Sequence, residues 1–219
     1  MTKTLTTQTC AAMAGLLLGT CALTAQSFQA FLDSDQEVPP AGATNSGATA
    51  FASLSITGSE LDGFVLHYEI VFDTSVNFEN AFPGQGLDNG GSEIVRDDVV
   101  LHIHRGERGV NGPIALGIFG PDQDLQAGIQ LNADNTTTVF GQFDSGDPTN
   151  EAINSVALEM LATPQGADTD FYINLHGEED PVGLIRGQVT AVPEPSTYGL
   201  AGVLVLAGLV LLRRRQTQS

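Results

Sequence analysis

The chain is poor in cysteine and in positive charge. Its 219 residues include two cysteines, Cys10 and Cys21, a single lysine, Lys3, and no tryptophan. Both cysteines fall within the first 25 residues, a stretch that reads as a removable leader. The exported part therefore has no disulfide and no thiol nucleophile. Residues 26–192, 167 in all, must fold on core packing alone, and that length suits one domain. Of the 26 acidic residues only Glu194 lies outside this stretch, so 25 stand against Arg96, Arg105, Arg108 and Arg186, a net charge of −21. Such a surface repels nucleic acid and anionic lipid and suits solubility outside the cell. Serine-hydrolase elbows and phosphate loops are absent. The acidic runs 33–37, 122–124 and 178–180 lack the spacing and central glycine of an EF-hand. No catalytic residue is assigned.

The two ends of the chain carry addresses. Lys3 precedes the apolar, small-residue stretch 11–23, and Thr24-Ala25 precedes Gln26. This reads as a secretory signal peptide over residues 1–25, cleaved after Ala25 following passage through the Sec translocon. At the other end, Val192-Pro193-Glu194-Pro195 is followed by the uncharged run 198–212 and then by Arg213, Arg214 and Arg215. Proline fixes φ and disfavours the helical region in the residue before it, so the motif is extended. Fifteen helical residues span roughly 22 Å, short of the ~30 Å hydrocarbon core. The arginines stay cytoplasmic, which leaves the rest of the chain exported.

Residues 192–215 resemble the PEP-CTERM sorting signal of Gram-negative bacteria: motif, helix and arginine cluster in that order. The resemblance implies a transient inner-membrane anchor, cutting near the motif by an exosortase-like enzyme, and delivery to the cell surface.

Between the addresses lie short β-rich runs separated by Gly, Asn, Asp and Pro, at 27–32, 48–56, 61–72, 99–105, 114–119, 137–143, 171–176 and 184–191. Along 61–72, Phe64, Leu66, Tyr68, Ile70 and Phe72 share one face. Ile153, Val156, Ala157, Met160 and Leu161 recur at helical spacing, with Asn150 as the expected cap. Residues 73–97 form a long surface loop. The expected fold is all-β, a single antiparallel β-sandwich of Greek-key type with one short helix, occupying 26–191; the sorting segment takes 192–219.

Five ordered stretches carry a second resemblance: Asp35-Gln36-Glu37-Val38-Pro39-Pro40, Leu101-His102-Ile103-His104-Arg105-Gly106, Gly109-Val110-Asn111-Gly112-Pro113, Phe171-Tyr172-Ile173-Asn174-Leu175-His176 and Gly183-Leu184-Ile185-Arg186-Gly187-Gln188. Over residues 28–189 the chain resembles the CHRD domain, a module first described in chordin. Leu101 and the long loop 73–97 depart from the family pattern. The resemblance implies a β-rich extracellular module and assigns no activity.

His102 and His104, two apart on a strand, project from one face, as do Tyr172, Asn174 and His176. If the strands are neighbours, His102, His104 and His176 form a three-imidazole site for zinc or copper, with water or Glu178 as a fourth ligand. The alternative is that all three are structural. The H-x-H strand near a glycine-rich turn is similar in outline to the copper site of copper–zinc superoxide dismutases. Only His67 remains beyond the trio, so the bridging zinc ligands of that family are missing. His67 is expected to face solvent, and Arg186 to pair with Glu178, Asp180 or a chain end. The leading expectation is a binding or structural module at the cell surface or matrix, its partner a polysaccharide or another surface protein. A histidine-based metal protein, with redox activity as an option, is the second, and an exopolysaccharide-active enzyme the third.

Overall fold

Residues 26–38, 47–78, 93–94, 100–119, 124, 126–176 and 183–193 are described by the computed structural model. The leader, Glu178, Asp180 and the whole of 194–219, including Glu194, Pro195 and Arg213 to Arg215, lie outside them. No described helix is long and apolar enough to cross a membrane, and the run 198–212 is not among the described residues.

In chain order the elements are β1 (Gln26–Asp33), a 3-10 turn (Ser34–Gln36), β2 (Thr49–Ser59), β3 (Gly63–Phe72), β4 (Val76–Asn77), β5 (Glu93–Ile94), β6 (Val100–Arg105), β7 (Ile114–Phe119), β8 (Gly128–Leu131), β9 (Thr137–Phe143), α1 (Ile153–Leu161), β10 (Asp168–His176) and β11 (Ile185–Val192). Nine strands join in one antiparallel sheet ordered β7-β6-β10-β11-β1-β2-β3-β9-β8, while β4 and β5 form a separate parallel pair. The first and last strands are neighbours, with Ser27 opposite Val192, so the sorting motif begins where β11 ends. Chain connections cross from one half of the sheet to the other after β3, β7 and β9, as expected of Greek-key topology.

Strict two-residue alternation decides which face is core. Phe28, Ala30 and Leu32 of β1, Ala50, Ala52, Leu54 and Ile56 of β2, and Phe64 to Phe72 of β3 at even positions are buried, as are Leu101, Ile103, Phe171, Ile173, Leu175, Ile185 and Val189. A flat sheet of nine strands cannot enclose that face, so it curls over on itself. Two contacts fasten the curl. Asp124, after β7, takes hydrogen bonds on Oδ2 from the Tyr68 hydroxyl of β3 at 2.6 Å and from the Gln142 amide of β9 at 2.9 Å. Helix α1 buries Ile153, Val156, Ala157 and Met160, accepts the Phe64 amide of β3 on Asn154 Oδ1, and binds Arg105 of β6 through its own Glu159 and through Glu151 just before it. β3 and β6 are separated by four strands in the sheet, so the helix bridges its two halves.

Three local expectations need correction. The cap of α1 is Ala152, with no side-chain bond, whereas Asn150 Nδ2 donates to the carbonyl of Ile114. The helix begins at Ile153, three residues after Asn150, so this side chain is outside the capping position. β8, four residues beginning at Gly128, is a strand that the sequence pattern did not reveal. His67 is half-buried rather than simply solvent-facing, and its Nε2 lies 3.3 Å from Thr57 Oγ1.

Candidate metal centre

β6 and β10 are hydrogen-bonded neighbours, with Tyr172 opposite His104, Asn174 opposite His102 and His176 opposite Val100. Leu101 and Ile103 turn into the core, so His102 and His104 must lie on the other face. Tyr172, Asn174 and His176 alternate with Phe171, Ile173 and Leu175 in the same way. The condition on which the sequence reading depended is therefore met. The ring centroids of His102 and His104 are 5.3 Å apart, those of His102 and His176 5.5 Å, and those of His104 and His176 5.8 Å. One nitrogen from each ring lies within 4.8 Å of the other two, and no carboxylate joins this cluster among the described residues.

Although these side chains are on the face opposite the core, they are not in water. His102 is 6% and His104 8% exposed, and the segment 106–113 returns against His104 and Tyr172. His104 Nδ1 lies 3.0 Å from the carbonyl oxygen of Gly112. A carbonyl only accepts, so Nδ1 carries the proton and the lone pair is on Nε2. That Nε2 is buried with no hydrogen-bond partner, and so is His102 Nδ1. Orphaned buried nitrogens of this kind point to an ion or water that completes them. Burial pushes the pKa of His102 down to about 3, helped by His104 and His176. His104 falls to about 4, again chiefly through burial, against the raising effect of its bond to Gly112. Both rings are neutral at pH 7, the form a metal needs.

A second layer holds the first. Tyr172 stacks on His104 with 4.9 Å between centroids and 8° between planes. Its hydroxyl accepts the Gly112 amide at 3.2 Å. Above it, Arg186 Cζ lies 3.4 Å from the Tyr172 ring centre. Arg186 is 1% exposed and donates to Asn111 Oδ1 and to the carbonyls of Val110 and Glu107. Among the described residues these bonds tie Arg186 to the segment Glu107–Asn111. Glu178 and Asp180 lie outside the description, so the fourth ligand proposed at Glu178 does too. Asn174, opposite His102, has a buried Oδ1 without a hydrogen-bond partner; the strand period groups it with Tyr172 and His176 and gives it no role of its own.

Residues 28–189 match the model of the CHRD domain. The chain belongs to the CHRD-domain family. The domain contains every residue of the cluster just described. Residues 191–215 match the PEP-CTERM protein-sorting motif, which makes this CHRD protein an exported one, anchored transiently at the membrane, processed by exosortase and delivered to the cell surface. No curated protein and no solved structure matches the chain.

A groove of about 550 Å³ crosses β1 to β3, lined by Ser27, Gln29, Phe51, Ser53, His67 and Glu69 among others. It contains none of the three clustered histidines. Phe51, on its wall, faces Phe31 across β1 and β2, the two 45% and 54% exposed.

Proposed function

We propose that this exported CHRD protein is a cell-surface metal-binding module, with His102, His104 and His176 as ligands for zinc or copper. The observation that carries the reading is the hydrogen bond from His104 Nδ1 to Gly112, which leaves the lone pair on a buried, otherwise partnerless Nε2 beside His102 and the part-buried His176, with no carboxylate in the cluster among the described residues. Imidazole suits both metals, and a His ligand whose other nitrogen donates to a backbone carbonyl is the usual outer-shell arrangement. A purely structural trio would spend its nitrogens on backbone partners instead. The test is elemental analysis of the full chain, purified in detergent, beside a His102→Ala/His104→Ala/His176→Ala form. About one equivalent of metal, lost in the variant, is expected. Metal absent from both would end the reading.

The exposed pair Phe31 and Phe51 supports a second role for the outer face, that of holding extracellular polysaccharide by ring stacking. Loss of sedimentation with the polysaccharide in a Phe31→Ala/Phe51→Ala form, with the fold intact, is the expected result.

A further inference from the structure

Resting on the three-histidine reading above, we propose that the centre is selective for monovalent copper, Cu(I), and that the buried guanidinium of Arg186 imposes that selectivity on the site.

The donor set comes first. Three imidazoles surround the position, and no carboxylate or thiolate belongs to the cluster among the described residues. Among the described residues, then, no ligand offsets the formal charge of an ion held there. The cost of enclosing charge away from water grows with its square, so a divalent ion suffers far more than a monovalent one. Burial of His102 and His104 makes this cost real and does so for any cation in the trio.

Arg186 adds a fixed charge of the same sign. It sits two stacked layers from the cluster, over Tyr172, which lies flat on His104. Side-chain flexibility does not relieve the repulsion, because Asn111, Glu107 and Val110 hold its nitrogens in place. Arg186 disfavours a protonated His104, and a metal cation at that ring meets the same field. Among the described charges, Glu37 and Arg108 also act on Arg186, Glu37 offsetting its charge and Arg108 adding to it. Glu37 is not a member of the histidine cluster. A unit charge at this remove, partly offset, changes the ratio of monovalent to divalent binding on the order of tenfold.

The probes are Cu(I), supplied anaerobically as its acetonitrile complex, Cu(II) and Zn(II), each titrated into the detergent-purified full chain against a chromophoric chelator. Wild-type chain is expected to take one equivalent of Cu(I) and to hold it at least a hundredfold more tightly than Zn(II). Arg186→Gln should lower the Cu(I)-to-Cu(II) affinity ratio about tenfold, equivalent to a fall of ~59 mV in potential for a one-electron couple. Arg186→Lys keeps the charge and should restore most of the ratio. Glu37→Gln removes the offsetting carboxylate and should move the ratio the other way, which keeps the test decisive if Arg186→Gln fails to fold. One equivalent of Zn(II) held as tightly as Cu(I), and lost in the triple histidine variant, would overturn the selectivity while leaving the site standing. Unchanged ratios in both the Arg186 and Glu37 variants would remove Arg186 from the account. No binding of any of the three ions would remove the site itself.

Discussion

His104 and Gly112 are joined by a bond between the imidazole Nδ1 and a backbone carbonyl 3.0 Å away, and this single contact orients the ring for whatever Nε2 does. Gly112 is needed there because a Cβ on it would overlap the carbonyl oxygen of Arg105. Gly112→Ala must therefore displace the loop that bonds His104 and Tyr172. Metal affinity should fall about 10- to 100-fold, the usual cost of losing an outer-shell partner. Competition titration would show it, and an unchanged affinity would mean that the carbonyl does not set the ring.

Tyr172→Phe separates stacking from hydrogen bonding. The ring remains between His104 and Arg186, while the Gly112 amide loses its acceptor. The expected cost is about 1 kcal/mol of folding stability, with metal stoichiometry kept. Chemical denaturation and elemental analysis together would check both halves of the statement.

The metal-free chain should weaken in mild acid. His102 and His104 are held down to about 3 and about 4 in the fold, but titrate near 6.5 when unfolded. Below that value the unfolded chain takes up protons that the folded chain refuses, so stability falls as pH drops from about 6.5 toward 4. Denaturant midpoints measured across this window should decline more steeply in the wild type than in a His102→Gln/His104→Gln form. Parallel slopes would contradict the assignment.

Tyr68→Phe tests the closure of the sheet. Its hydroxyl is buried and donates to Asp124, which also receives the Gln142 and Gln126 amides. Removing one donor from a buried carboxylate should cost about 1–3 kcal/mol. A thermal or denaturant midpoint equal to that of the wild type would show that α1 alone holds the two halves together.

Processing is read by mass. Material recovered from the cell surface should begin near Gln26 and lack residues 198–219. Intact-mass spectrometry that finds either segment retained there would contradict the corresponding cleavage.

How far the site was legible depends on the range of each interaction. That His102 and His104 share a face follows from the two-residue period of a strand, and so does the grouping of Tyr172, Asn174 and His176. That the two groups meet required β6 to pair with β10, a match between segments some seventy residues apart that no local pattern specifies. Arg186 shows the same dependence on range. A lone arginine among many acids suggests an ion pair, while its place on β11 also brings it to the carbonyls of Glu107 and Val110, 79 and 76 residues earlier in the chain. The cap of α1 falls at Ala152 because the helix starts at Ile153, three residues after Asn150, whose side chain donates to β7, distant in sequence.

The amino-acid sequence by itself determined the destination of this protein and its structural class. Leader and sorting motif are linear signals, recognised as extended or helical peptides, and strand periodicity is a property of neighbouring residues. The tertiary structure alone decided that three histidines converge, that one of them is fixed by a glycine carbonyl, and that an arginine is buried above them. Those facts arise from strand order and loop placement, which the whole core settles together and which no single segment encodes.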